Sequence, residues 1–218
     1  MSKVVIRNII CAFIVVSTII IFVWGLLIAP FGVAPAGVLQ KDDLYGINFF
    51  RFYTNLSNLF LGIASAIMLF YKRCPKWLEI LYLFAATTVA LTLVIVVIFL
   101  SPLQVLAGKS YLSMFERDML FFHLINPILG FVVFGFLTNN FKLTLKHKIL
   151  ALIPTLVYGF VYLLNVVFLR IWKDFYSFTF GGNNAVIPIV FIVILTVVFG
   201  LASLLAYIHN RRVNGKHN

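Results

Sequence analysis

Six apolar runs, separated by short polar joints, occupy most of this chain. A membrane crossing needs about 20 residues at roughly 1.5 Å each. In lipid, every backbone polar group must be satisfied within the segment or by a closed sheet, so runs of this length and spacing form helices. The expected spans lie near Asn8–Ala29, Ile47–Tyr71, Trp77–Leu100, Met119–Leu137, Ile149–Leu169 and Val186–Ile208. Of the 218 residues only 11% are charged and 63% are hydrophobic, whereas a soluble domain carries about 25% charged residues. No polar block is large enough for a second domain. The expected fold is all-α: one polytopic six-helix transmembrane domain over residues 1–218, multi-pass in the cell membrane. The first run resembles a signal peptide with Ala34-Pro35-Ala36 as its cleavage site. Its apolar core is too long for that, and proline fits the cleavage triplet poorly, so a retained helix is expected.

The formal charge of +11 could suggest a nucleic-acid partner, but the basic residues sit in short joints between apolar runs. That distribution sets membrane orientation. Lys3, Arg7, Lys72, Arg73, Lys76, Lys142, Lys146, Lys148, Arg211, Arg212 and Lys216 fall on one side, against Lys41, Arg51, Lys109, Arg117, Arg170 and Lys173 on the other. Both termini are therefore expected in the cytoplasm. Asp42, Asp43, Glu116, Asp118 and Asp174 lie on the outer side. Glu79, among basic neighbours on the inner side, reads as a surface ion-pair partner. Trp172, Phe175, Tyr176, Phe178 and Phe180 read as an interfacial aromatic belt, and Gly181-Gly182-Asn183-Asn184 as the turn into the last helix. Cys11 and Cys74 are too few, and too apolar or lysine-flanked in setting, for a disulfide framework or a metal site. They read as inert thiols.

Two runs carry polar groups that a lipid-facing helix should lack. In Phe49–Leu61, a continuous helix puts Arg51, Thr54, Asn55 and Asn58 within one arc of about 100°. In Phe121–Gly130, His123, Asn126, Pro127 and Gly130 share a face. Tyr158, Tyr162 and Asn165 form a third stripe on the fifth helix, at similar depth. Each residue has an ordinary structural explanation. Threonine bonds back to its own helix, asparagine ties helices together, arginine snorkels to the interface, and tyrosine joins the belt. Thr88 and Thr92 read as packing residues. His123 is harder to explain so: it is the one histidine inside an expected span, while His147, His209 and His217 fall in basic segments. An imidazole at that depth can carry protons near neutral pH.

The chemistry that fits these types is nucleophilic. Thr54 needs a base to attack a carbonyl, and His123 is the base at matching depth. Asn126, Asn165 or Tyr162 could orient the ring or donate to an oxyanion; Arg51 could hold a carboxylate or phosphate. No carboxylate lies within the span at the depth of Thr54 and His123 to complete a triad, and one histidine gives too few ligands for a metal. No cofactor is expected.

The F-x-x-F-x-T-x-x-S-N pattern at Phe49–Asn58 and the H-x-x-x-P pattern at His123–Pro127 resemble a bacterial family of six-span membrane proteins. That family is distantly similar to the androgen-induced and androgen-dependent membrane hydrolases of animals. The resemblance implies cleavage of fatty-acid esters of hydroxy fatty acids, with Thr54 as nucleophile and His123 as its partner. Two other readings stay open. One is a membrane protein that binds or transports a lipid, small solute or proton without catalysis. The other is an acyltransferase that passes the acyl group to an alcohol other than water. A closed pocket with Thr54 and His123 in contact favours an enzyme, and a continuous polar path to the cytoplasmic side favours transport.

Overall fold

A computed structural model of the chain describes residues 2–28, 45–138 and 141–214. The Ala34-Pro35-Ala36 triplet, Lys41, Asp42, Asp43, Lys216 and His217 lie outside the described residues. Helices are the only regular structure among those described. They are α1 (Lys3–Leu27), α2 (Tyr53–Leu69), α3 (Lys76–Leu106), α4 (Asp118–Leu137), α5 (Leu145–Phe168) and α6 (Ile187–Asn214). All but α2 are long and apolar enough to cross a membrane.

The expected second span, Ile47–Tyr71, is not one helix. Gly46–Arg51 forms a 3-10 turn, Phe52 is extended at φ −88° and ψ 128°, and α2 starts only at Tyr53. Arg51 therefore leaves the arc it was expected to share with Thr54, Asn55 and Asn58. The helix that remains has 17 residues.

Successive helices run antiparallel. Arg7 at the start of α1 donates to the Tyr71 carbonyl beyond the end of α2, while Phe22 near the end of α1 packs edge-on against Phe49. At the same end as Arg7, Asn210 of α6 makes two bonds to the Leu143 backbone just before α5, at 2.8 and 2.9 Å. Central to the bundle is α3, which buries Leu78, Tyr82, Leu83, Ala85, Ala86 and Val89. In contrast α5 is peripheral, with 17% of its most apolar window buried against 50% for α3.

The polarity of the bundle is inverted relative to a soluble protein. Ile9, Val16, Ile20, Val157, Phe160, Ile192 and Val193 face outward, while Arg7, Asn55, Asn58, Glu79, His123, Asn126 and His209 are buried. Apolar groups can face outward at no cost when the solvent is hydrocarbon, and buried polar groups must then satisfy one another.

Two expectations fail at the end where α1 and α3 begin. Glu79 is not a surface residue but fully buried, 3.5 Å from His209. His209 is not in a loose basic tail, because α6 continues to Asn214. Its Nε2 lies 3.0 Å from the Phe141 carbonyl and its Nδ1 3.4 Å from that of Phe134, with its ring stacked on Phe134. A carboxylate one turn into a helix was assigned to the surface from its neighbours in sequence. The partner that lets it be buried lies 130 residues away. Cys11 and Cys74 are both buried and form no disulfide with each other. Burial, then the nearby Glu79 carboxylate, pushes the Cys74 thiol up to about 12 against the pull of Arg7, so it holds its proton at neutral pH.

Candidate functional site

At the other end, α2 and α4 begin, α3 ends, and two connecting segments fold back over the bundle. Two proline-terminated π turns shape this region. In α3 the turn Val96–Leu100 has the Ser101 N–H bonded to the Val96 carbonyl, five residues back. The next such bond would run from Pro102 to Val97, but proline has no N–H. The Val97 carbonyl instead accepts the Tyr111 hydroxyl at 2.8 Å. In α4 the pattern repeats. The Asn126 N–H reaches Phe121, Pro127 cannot reach Phe122, and the Phe122 carbonyl accepts from the Asn58 side chain at 3.0 Å. Such π turns often mark functional sites because they re-aim side chains. Here the turn Phe121–Ile125 carries His123.

His123 is buried, and its Nδ1 lies 2.5 Å from the Met114 carbonyl. A carbonyl oxygen can only accept, so the neutral ring must carry its proton on Nδ1. Nε2 is left with its lone pair, as required of a base. A backbone carbonyl thus does the orienting that a carboxylate does in the familiar triad.

Thr54 is the second residue of α2 and half-buried. It lines a cavity of about 240 Å³ together with His123, Asn55, Gln104, Asp118 and an aromatic wall of Tyr45, Phe49, Phe52, Phe175 and Tyr176. No direct hydrogen bond links Thr54 to His123; they are two groups on one cavity. On its other side Thr54 borders an apolar cleft with Leu91, Ile95, Leu100, Tyr158, Phe191, Ile194 and Leu195. Thr54, Leu100 and Tyr176 wall both spaces.

The other candidate residues divide. Asn55 lines the cavity while donating to the Phe49 carbonyl at 2.8 Å. Asn58 and Asn126 are fully committed below it. Asn126 donates to Asn58 Oδ1 at 3.2 Å and accepts the Ser17 hydroxyl at 3.0 Å. Asn58 donates to the carbonyls of Thr54 and Phe122. This buried chain ties α1, α2 and α4 at the floor of the site. One turn further along α4, a Cβ on Gly130 would stand 3.0 Å from Leu61 and 3.5 Å from Val89. The floor is therefore backed by a close-packed apolar layer.

Arg51, Tyr162 and Asn165 do not reach the cavity. The Arg51 guanidinium lies 5.8 Å over the Trp172 ring. Asn165 bonds back to the Val161 carbonyl in its own helix at 2.8 Å. The Tyr162 hydroxyl donates to Asp174 at 2.5 Å and lines the cleft.

Nor is the aromatic segment before α6 a simple belt. Phe175, Tyr176 and Phe178 fold inward onto Tyr162, with ring centroids 5.1 to 5.5 Å away, and only Phe180 of the five is largely exposed. Asp174 holds this segment by accepting from Tyr162, the Phe178 N–H, and both the N–H and hydroxyl of Thr179. Burial alone would raise its carboxyl, but the Thr179, Tyr162 and Phe178 donors outweigh it and hold the group below the ordinary range. The segment delivers the Tyr176 hydroxyl to the start of α2, where it accepts the Tyr53 N–H at 2.9 Å. Phe52 offers no side-chain cap there, so Tyr176 supplies one from 123 residues away. Burial pushes the Tyr176 phenol up to about 12, against hydrogen bonds from Tyr53 and Thr54.

Sequence reasoning missed Asp118, Gln104, Tyr176 and the Met114 carbonyl. The one sequence signal for this rearrangement is Pro127, four residues after His123, which marks a disturbed helix register.

No known family model, curated protein or solved structure matches the chain.

Proposed function

We propose that the chain is a six-span membrane protein with both termini in the cytoplasm, and that it hydrolyses lipid or fatty-acyl esters with Thr54 and His123. One observation carries the reading. Thr54 and His123 line the same closed-floored cavity, and His123 has only Nε2 left to act.

In the first half-reaction the Thr54 hydroxyl attacks the ester carbonyl carbon, and its proton passes to His123 Nε2. The tetrahedral oxyanion lies at the N-terminus of α2, whose dipole favours negative charge. Collapse expels the alcohol, which takes the proton from His123, and leaves the acyl group on Thr54. Water, giving a proton to the same nitrogen, then cleaves the acyl-threonine. The acid is released and the hydroxyl regains its proton.

The apolar cleft beside Thr54 is the place for the acyl chain, with the polar cavity taking the alcohol side. The apolar layer at Gly130, Leu61 and Val89 closes the route toward the other end, which weighs against transport. Fluorophosphonate labelling and turnover of an acyl-ester panel by purified protein test the reading. Wild type should label and turn over, and Thr54→Ala should do neither. Full activity in a folded Thr54→Ala, His123→Ala double variant would end it.

A further inference from the structure

The cavity wall carries a second feature that nucleophilic chemistry does not need. Among the described residues, Asp118 is its one charged lining group other than a titratable His123, and five of its lining residues are aromatic. Arg51 lies over Trp172, while Arg117, the exposed neighbour of Asp118, acts on Tyr45 at the rim without lining the cavity. Among the described lining residues, an acidic alcohol part, such as a hydroxy acid or a phosphate, would meet the Asp118 carboxylate and no lysine or arginine. A quaternary or primary ammonium would meet the opposite. Aromatic faces attract a cation through the ring quadrupole, strongly so once it is desolvated, and a carboxylate beside them completes the neutralisation. Phe52 and Phe175 already stand together at 4.8 Å, and Phe175 and Tyr176 at 4.7 Å, so this wall is preformed rather than assembled by the ligand.

We infer that the cavity takes a lipid whose alcohol part carries an ammonium cation, held between Asp118 and the wall of Tyr45, Phe49, Phe52, Phe175 and Tyr176, with its ester toward Thr54. This assignment rests on the reading of the cavity as the alcohol side of an ester site. It assigns Asp118 as the specificity residue and removes Arg51 from that role.

Binding and turnover separate the two ideas. Purified full-length protein in maltoside micelles is titrated with three non-hydrolysable, water-soluble probes: hexyltrimethylammonium, hexyl glycerol ether and hexyl sulfate. The ammonium should bind tightest and the sulfate weakest. Asp118→Asn should weaken the ammonium by on the order of tenfold and leave the neutral ether unchanged. Phe175→Leu, which keeps the carboxylate, should likewise weaken the ammonium selectively and serves if Asp118→Asn does not fold. Equal or tighter binding of hexyl sulfate, or an ammonium affinity indifferent to both variants, overturns the inference. Dodecanoylcholine and monododecanoylglycerol are then compared as substrates. Selective ammonium binding without turnover of either ester would sink the hydrolase reading and leave the ammonium site standing. Turnover with the sulfate bound best would do the reverse.

Discussion

The two buried histidines sit at opposite ends of the bundle and show what separates a reactive group from a structural one. His209 meets oxygen acceptors at both ring nitrogens, Phe134 on one side and Phe141 with Glu79 on the other, and its ring is stacked on Phe134. Nothing is left for a ligand. His123 is nearly as buried, but only Nδ1 is engaged, and the ring borders a cavity. Burial alone does not distinguish them. What differs is whether the second nitrogen has an acceptor: both nitrogens of His209 do, and of His123 only Nδ1 does among the described contacts. By the same measure, Asn58 and Asn126 belong with His209.

If this contrast is right, the largest effect is on catalysis and falls at one end. Thr54→Ala or His123→Ala should lower ester turnover by at least about a thousandfold, and the double variant should lose little more, because the two act as one unit. Turnover per folded molecule should be unchanged in His209→Ala. Equal losses from His123→Ala and His209→Ala would erase the distinction.

The next effect is on stability and falls at the other end. Glu79→Ala should cost about 1–3 kcal/mol, the usual penalty for leaving a buried polar group without its partner. Glu79→Leu combined with His209→Phe should recover much of that. Unfolding in mixed micelles measures both, and a neutral Glu79→Ala would show that the pair carries no weight.

A smaller effect tests the floor of the site. Asn58→Leu leaves the Phe122 carbonyl and Asn126 without their partner. A loss of about 1–2 kcal/mol is expected, since more than one interhelical hydrogen bond is lost at roughly 0.6 kcal/mol each, with a further drop in turnover as the turn bearing His123 relaxes. A purely structural Asn58 would change stability and leave turnover per folded molecule alone.

The smallest effect concerns the segment that caps α2. The Asp174 carboxyl is held below its ordinary value of 3.8, so its stabilising contribution is complete above that value. It is lost only as pH falls through the lower folded-state value. Proteolysis of residues 169–186 should therefore be flat across neutral pH and accelerate only in acid below about pH 4. Asp174→Asn should raise the neutral rate and flatten the profile. Separately, cysteines placed at Lys109 and Lys146 in a Cys11→Ala, Cys74→Ala background report sidedness. An impermeant reagent on intact cells should label Lys109→Cys and not Lys146→Cys, and the reverse would invert the orientation.

Much of this protein was fixed by local chemistry. Apolar runs long enough to cross a bilayer become helices wherever water is absent, because only a helix satisfies its own backbone. Polar residues at the start of α2 and within α4 had to face inward for the same reason, which is why Thr54, Asn55 and His123 could be grouped from the sequence. Tertiary structure decided what periodicity could not express. The extended Phe52 broke the arc that assumed one continuous helix and sent Arg51 to Trp172. Pro102 and Pro127 each freed a carbonyl, and distant side chains from Tyr111 and Asn58 claimed them. Glu79 could be buried only because His209 arrives from the last helix, and Thr54 gained a capped helix start only because Tyr176 folds back onto it. In each case a polar group exposed by a local break must be satisfied by whatever the fold brings within about 3 Å. Sequence spacing says nothing about a partner more than a hundred residues away.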